Sequence, residues 1–255
     1  MALDALRTFN RFELKYVVTK RDIDRLRPEI ARYMVRDPYA DENGSYMLSS
    51  LYYDSPRLDC YWAKLDGLKF RRKVRIRHYE QADPLTDDTL VFVEIKQRID
   101  RVTQKRRAVL PYGDARELCD ELLVPDHEPV DGPVVDEVYE LLIRHRLRPT
   151  CITSYQREPW LGGDYDPGLR ITFDFDLRYR VHDLELDSKH PGKFMFPPQF
   201  AVLEIKLNDR APYWLTHLVA RNNLQLTRMS KYCTSLEVAG HGVTPARSRG
   251  ALVVG

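Results

Sequence analysis

Apolar and charged residues alternate strictly near the start of the chain. In residues 11–18, which read RFELKYVV, Arg11, Glu13 and Lys15 are each followed by an apolar residue. Successive side chains of a β-strand point to opposite faces, so the pattern predicts a strand with one apolar and one charged face. Taken alone, such a strand fits an antiparallel sheet whose charged face meets water.

The same alternation returns in later segments and makes the chain rich in strands. KFRRKVRIRHY places Arg71, Lys73, Arg75 and Arg77 on one face, opposite apolar residues. Three further segments, LVFVEIKQR, LRITFDFDLRYR and AVLEIKL, repeat this arrangement. Their charged faces carry Glu94, Lys96 and Arg98, then Arg170, Thr172, Asp174, Asp176 and Arg178, and finally Glu204 and Lys206. The pattern therefore predicts an α+β protein dominated by antiparallel strands.

Helical spacing predicts helices between these strands. Thr19 is a candidate N-cap for a helix that places Ile23, Leu26 and Ile30 on one side, although Pro28 interrupts it. Further helical segments are expected over residues 58–65, 114–123, 134–145 and 212–226. Residues 181–199 form a long, proline-containing loop. We expect a single domain over residues 1–239 and a disordered tail over residues 240–255.

Composition excludes several classes of protein. The chain has 255 residues and a formal net charge of only +2, so it lacks the overall positive charge of a protein that neutralises a nucleic-acid backbone over its whole surface. Its four cysteines are far apart and contain no C-x-x-C pair, which favours reduced thiols in the cytoplasm over zinc or disulfides. No apolar run approaches the roughly 18 residues that span a bilayer, and charge comes too early for a secretory signal. We expect membrane association only through another protein.

The cations are concentrated on one strand, where they lack acidic neighbours. This segment contains Lys69, Arg71, Arg72, Lys73, Arg75 and Arg77. Like charges repel, but an anion with many oxygens can lie between them, because charge-assisted bonds to phosphate are strong. Glutamates on neighbouring strands suit Mg²⁺ or Mn²⁺, which commonly bridge carboxylates and substrate phosphates. A closed sheet would bring these faces into one interior.

The motifs that carry these charges occur in a characteristic order. They are RFELKY, SLYYDS, KVRIRHY, VFVEIKQR, QKRR, SYQRE, LRITFDFDLRYR, VLEIKL and SKY. In this order the chain resembles the vacuolar transporter chaperone (VTC) domain, the polyphosphate polymerase branch of the triphosphate tunnel metalloenzymes, also called the CYTH-like superfamily. The resemblance implies an eight-stranded antiparallel β tunnel with flanking helices, which encloses a triphosphate or polyphosphate and a divalent metal.

The resemblance also implies roles for individual residues. The implied phosphate-binding residues are Lys15, Lys73, Arg75, Arg77, Lys96, Arg157, Arg170, Lys206 and Lys231, together with Lys105 or Arg106. Of these, the catalytic role falls to Lys15, Arg75, Arg77, Lys96 and Lys206. Glu204 is the implied metal ligand, and Glu13 and Glu94 are further candidates. Tunnel triphosphatases typically open with Glu-x-Glu-x-Lys, but Arg11 replaces the first glutamate, which disfavours a second metal.

The expected activity is metal-dependent transfer of the γ-phosphoryl group of ATP to a growing polyphosphate chain. Hydrolysis of triphosphates in the same tunnel would use nearly the same residues. A non-catalytic polyphosphate or nucleotide-binding module and a structural β-protein with solvated charged faces are further alternatives. The basic strand lacks interleaved aromatic residues for base stacking, so nucleic acid is not an expected partner. The sequence leaves the oligomeric state open.

Overall fold

A computed structural model describes residues 9–80, 84–100, 102–163, 166–208 and 210–241. Its strands are β1 Phe9–Thr19, β2 Met34–Arg36, β3 Tyr46–Asp54, β4 Phe70–Tyr79, β5 Leu90–Ile99, β6 Val102–Pro111, β7 Arg148–Gly162, β8 Arg170–Arg180, β9 Lys193–Phe194 and β10 Phe200–Leu207. Its helices are α1 Lys20–Ile30, α2 Asp59–Leu65, α3 Tyr112–Arg116, α4 Gly132–His145, α5 Tyr213–Arg221 and α6 Lys231–Val238, and a π-helical turn, Glu117–Glu121, follows α3.

The described strands form one antiparallel sheet that closes on itself. Their order is β2-β7-β3-β4-β5-β6-β1-β10-β8-β9, and an additional pairing joins β7 to β8. This pairing turns eight of the strands into a ring, and the short β2 and β9 extend the sheet outside it. The α+β tunnel predicted from the sequence is confirmed, with ten strands in the sheet rather than eight.

Two apolar clusters hold helices against the outside of the ring. Val91, Val93 and Ile95 of β5 are fully buried against α3 and α4. On the opposite side, Ile23, Leu26 and Ile30 of α1 pack against β1, β8 and β10, as their helical spacing predicted. Thr19 caps this helix, since its hydroxyl accepts from the Asp22 amide at 3.1 Å. The apolar faces of the strands therefore point outward, toward the helices, and leave the charged faces inside.

Helix α6, which the sequence analysis did not predict, packs against interior side chains at one end of the ring. Its Tyr232 and Cys233 lie in a cluster with Tyr52, Tyr155 and Val202 of the ring strands. The hydroxyl of Ser230 caps the helix at the Cys233 amide. This placement brings Lys231, the first residue of α6, among the charged side chains of the interior.

The structure also bears on the predictions about the cysteines, membrane-spanning segments and the C-terminal tail. All four cysteines are free thiols. Among the described helices, none is both long enough and apolar enough to cross a membrane. Residues 242–255, the main part of the predicted tail, lie outside the described residues, and the division into residues 1–239 and 240–255 stays a prediction.

Candidate phosphate-binding site

The register of β1, β10 and β8 arranges charged side chains in rows across the interior. Lys15 lies opposite Glu204, which lies opposite Thr172. One step along, Glu13 lies opposite Lys206, which lies opposite Arg170. Directly opposite residues of antiparallel strands share a face, so all six side chains belong to the interior surface.

Four cations surround Glu204, and we call these five residues the Glu204 group. One carboxylate oxygen of Glu204 lies 3.1 Å from Lys15 Nζ and 3.3 Å from Lys231 Nζ. The other lies 2.9 Å from Lys206 Nζ and 3.3 Å from Arg157 Nη2. The group joins β1, β7, β10 and α6, so residues distant in sequence meet at one carboxylate.

Asp174 fixes two of these cations from the side. Arg157 donates to both of its oxygens, at 2.6 and 2.8 Å, and Lys231 donates to one of them at 2.5 Å. Asp174 is fully buried. A buried carboxylate with these partners holds Arg157 and Lys231 in place beside Glu204.

A second carboxylate, Glu94, gathers the cations of β4 and β6, and we call Arg75, Arg77, Glu94 and Lys105 the Glu94 group. Arg75 contacts one oxygen of Glu94 through Nε at 2.8 Å and Nη2 at 2.6 Å. Lys105 Nζ lies 2.9 Å from the other oxygen, and Arg77 Nε lies 3.9 Å from the carboxylate. Glu94 is fully buried, so it serves as the internal counter-ion of this wall.

Tyrosine and serine hydroxyls orient the two arginines of the Glu94 group. Arg75 donates to the Tyr52 hydroxyl at 2.9 Å. Arg77 donates to Ser50 at 3.1 Å and to Tyr155 at 3.2 Å. Such contacts leave few rotamers for the guanidinium groups, which are therefore positioned before any ligand binds.

Like charges meet directly across three neighbouring strands. Lys73 lies opposite Lys96, which lies opposite Lys105. Directly opposed like charges destabilise a sheet. Glu13 relieves part of this repulsion, because both of its oxygens accept from Lys96 at 2.9 Å. The remaining positive charge suits a polyvalent anion in the interior.

The pKa values of the interior groups follow from burial and from these contacts. Burial opposes ionisation of Glu204, but the charges of Lys15 and Lys206 hold its pKa well below the ordinary value. Burial also raises the pKa of Glu13, yet Lys96 and Lys15 outweigh this effect and lower it to about 2. Both carboxylates are therefore available as anions at neutral pH.

Two groups have pKa values near neutrality. Burial lowers the pKa of Lys206 to about 7, and the attraction of Glu204 only partly offsets this effect. Burial raises the pKa of the Tyr52 phenol, but Arg75 and Arg77 reverse the effect and lower it to about 8. The charge of the interior consequently changes between pH 6 and 9.

The structure brings together most of the predicted site residues. Those that face the interior are Glu13, Lys15, Lys73, Arg75, Arg77, Glu94, Lys96, Lys105, Arg157, Arg170, Glu204, Lys206 and Lys231. Their convergence is a property of the fold, whereas their roles in binding and catalysis stay predictions. Arg11 belongs to β1, but its side chain is outside the described part of the structure.

One predicted residue lies on the wrong face. Arg106 shares the outer face of β6 with Ala108 and Leu110, and it forms an ion pair of 2.6 Å with Glu137 of α4. It therefore does not reach the interior. Arg107, which the sequence analysis missed, lies opposite Glu94 instead, and its guanidinium stacks over the Phe92 ring at 4.4 Å.

The predicted inward positions of Asp176 and Arg178 are also wrong. Asp176 has a φ of 48°, and the pairing of β7 with β8 shifts register at this point. Such a bulge adds one residue and reverses the alternation beyond it. Asp176 pairs instead with Lys20 at 3.4 Å, Arg178 stacks on Phe194 at 3.8 Å, and Leu177 joins the interior cluster beneath α6.

The carboxylates provide a donor set for a hard cation. Glu13 and Glu204 occupy neighbouring rows of β1 and β10, and Lys15 lies between them, 4.0 Å from Glu13 and 3.1 Å from Glu204. Across the described residues, no three His, Cys, Asp or Glu side chains converge as a self-sufficient metal site. Two carboxylates fit Mg²⁺ or Mn²⁺ in the common mode in which substrate phosphates complete the coordination.

Comparison with known proteins identifies the family. The VTC domain profile matches residues 10–239, and the chain belongs to the VTC domain family. Subunit 4 of the vacuolar transporter chaperone complex of Trypanosoma brucei brucei is 27% identical over 284 residues, an alignment that covers 93% of this chain and 35% of the relative. The chain thus spans about a third of that protein's length.

A solved structure shares the fold at low sequence identity. A protein provisionally assigned as an adenylate cyclase, from Bacillus halodurans, superposes with a TM-score of 0.53 at 13% identity. The match covers 88% of this chain and 96% of that protein. At this identity the likeness concerns the fold alone, and it agrees with the closed sheet described above.

Proposed function

We propose that the protein is a metal-dependent polyphosphate polymerase that transfers the γ-phosphoryl group of ATP to a growing polyphosphate chain inside the tunnel. The observation that carries the proposal is the closed ring whose interior collects cations in excess of carboxylates, some directly opposite one another. A linear chain of phosphates neutralises such a surface along its length. Membership of the VTC family further supports a polyphosphate-related tunnel enzyme.

The residues of the site would act mainly by positioning. Transfer of a phosphoryl group needs donor and acceptor oxygens held in line and negative charge stabilised on the transferred group. The oriented guanidinium groups of Arg75 and Arg77 suit bidentate binding of phosphate. On the opposite wall, Lys15 and Lys206 would turn from Glu204 toward the substrate, since lysine is a mobile point charge. A terminal phosphate oxygen of the acceptor attacks, and ADP leaves.

Glu204 and Glu13 would hold the divalent metal together with substrate phosphates. When bound, such a metal neutralises negative charge on phosphate oxygens and thereby favours transfer. Lys15 lies between the two carboxylates and would have to leave them for a metal to bind, and Lys96 would have to leave Glu13. Glu94 is enclosed by Arg75 and Lys105 and fits a structural counter-ion better than a metal ligand.

The product of the reaction tests the proposal. Purified protein incubated with ATP and Mn²⁺ should give a ladder of polyphosphate on a gel and an equivalent amount of ADP. Orthophosphate without polymer would instead support a triphosphatase in the same tunnel. Binding without turnover, with Mg²⁺ and Mn²⁺ tested in turn, would support a non-catalytic module.

A further inference from the structure

Four buried side-chain polar atoms among the described residues have no hydrogen-bond partner. They are Nε2 of His78, Oγ1 of Thr153, Nε of Arg170 and Oγ1 of Thr172. His78 is in phase with the outward-facing Val74 and Ile76 of β4, whereas the other three belong to the interior. Buried polar groups are seldom left unpaired, so these atoms point to a ligand that completes them.

Thr172 and Arg170 lie beside Glu204 and Lys206 of β10. Thr172 is fully buried and opposite Glu204, and Arg170 is opposite Lys206. Side chains in directly opposite positions have Cβ atoms about 5 Å apart. Any ligand that takes Lys206 away from Glu204 therefore comes close to both the hydroxyl and the guanidinium.

Arg170 is held so that its buried Nε–H stays unused. Its Nη2 donates to Asp37 at 2.9 Å and to the Tyr46 hydroxyl at 2.8 Å, while Nε has no partner. These contacts fix the guanidinium at the edge of the interior. The unused N–H, the Thr172 hydroxyl and the Lys206 ammonium can all donate, so the ligand that fits them is an acceptor with several negative oxygens.

We propose that Thr172, Arg170 and Lys206 form a phosphate subsite in which the Thr172 hydroxyl and Arg170 Nε donate to one phosphate group of a condensed phosphate. This inference rests on the proposed function and adds the Thr172 hydroxyl to two residues, Arg170 and Lys206, that were already expected to bind phosphate. Lys206 exchanges Glu204 for the phosphate when the subsite fills. The exchange leaves that carboxylate oxygen of Glu204 in contact with Arg157.

The proposal predicts that removing the Thr172 hydroxyl affects binding and stability in different ways. Thr172→Val keeps the shape and should weaken binding of inorganic tripolyphosphate, in the presence of Mg²⁺, by about fivefold. The ligand-free protein should keep its Tm or gain about 2 °C, since an unpaired buried hydroxyl is lost. Calorimetric titration and thermal unfolding measure the two effects.

Two control variants distinguish the loss of the Thr172 hydroxyl from a change in packing. Thr172→Ser keeps the hydroxyl and should bind tripolyphosphate within about twofold of the wild type, although the lost methyl lowers its Tm. Thr150→Val removes a β7 hydroxyl that already donates to the Arg148 carbonyl at 2.8 Å and should leave affinity unchanged.

Each remaining outcome overturns the subsite. Unchanged affinity in Thr172→Val would show that the hydroxyl does not contact the ligand. Weaker affinity with a fall in Tm, or equal loss in Thr172→Ser, would assign Thr172 to packing. Failure of the wild type itself to bind tripolyphosphate would instead refute the proposed function, and this inference with it.

Discussion

The Glu94 group and the Glu204 group each place several cations around one carboxylate, but they differ in the type of cation. Glu94 is bound mainly by Arg75, whose other donors are fixed by Tyr52. Glu204 is surrounded by three lysines and one arginine. Guanidinium groups held by several bonds keep their geometry, whereas lysine ammoniums exchange partners with little rearrangement. One wall of the tunnel is therefore preorganised, and the other can rearrange around substrate and metal.

The largest expected effect is on stability and concerns Glu94. Glu94→Gln leaves Arg75, Arg77 and Lys105 without their buried counter-ion, so we expect a loss of about 3–5 kcal/mol in the free energy of unfolding. Urea denaturation measures it. Glu204→Gln should cost less, because Asp174 and Glu13 remain near its cations. Equal losses in the two variants would show that the walls do not differ in rigidity.

The next effect is on activity and concerns Glu204. Glu204→Gln removes the carboxylate that is proposed to hold the metal, and we expect polymer synthesis to fall by about 100-fold in kcat/KM. The matched variant Glu137→Gln changes a carboxylate on α4, outside the tunnel, and should retain full activity. Assays over a range of Mn²⁺ concentrations check the assignment. If Glu204→Gln retained full activity with an unchanged dependence on Mn²⁺, Glu204 would not be a metal ligand.

A smaller effect is expected on the pH dependence of binding. Lys206 has a pKa of about 7 in the free protein, and a bound phosphate raises this value because it favours the ammonium form. Binding therefore takes up a proton above pH 7, and affinity for tripolyphosphate should fall there by up to about tenfold per pH unit. Titrations from pH 6 to 9 measure the slope.

Two variants test separately whether Lys206 or Tyr52 causes the pH dependence of binding. Lys206→Arg keeps its charge and should flatten the profile between pH 7 and 8. Tyr52→Phe removes a phenol with a pKa of about 8, whose ionisation places negative charge beside Arg75 and should weaken binding at higher pH. A profile that neither substitution changes would rule out both groups as the titrating residues.

The smallest expected effect is that of replacing Arg106, which lies next to Lys105 but on the opposite face of β6. Arg106→Gln breaks a partly exposed ion pair with Glu137, so stability should change by at most about 1 kcal/mol and activity should not change. Lys105→Gln removes an interior cation that contacts Glu94 and should reduce activity. Steady-state kinetics of the two variants provide the test, and equal activities would contradict the assignment of faces.

The alternation of residues was sufficient to predict the interior faces of β1, β4, β5 and β10, because these strands are regular. It failed at β8 because one residue, Asp176, adopts a left-handed conformation and reverses the faces beyond it. An aspartate tolerates that conformation, but the sequence contains no signal that requires it. The error at Arg106 was avoidable, since Ala108 and Leu110 are in phase with Arg106 and place Lys105 and Arg107 on the polar face.

Long-range contacts were less accessible to sequence reasoning. Lys231 was predicted from the SKY motif, but neither helix α6 nor its position at one end of the ring was expected. The partners of Asp174 lie on β7 and α6, and no local pattern specifies which cation meets which carboxylate. In the sequence Thr172 is only one member of an alternating strand, because an unpaired hydroxyl is a property of packing in three dimensions.

The pairing of β1 with β10 has a consequence for biosynthesis. It joins residues 12–19 to residues 200–207, so β1 is synthesised well before the strand with which it pairs, and the ring can close only after β10 has followed. Until then the charged row of β1 lacks Glu204 and Lys206, and its backbone edge stays open to other strands. The full set of charges around Glu204 therefore forms only after β10 has been synthesised, and until then β1 is open to non-native strand pairing.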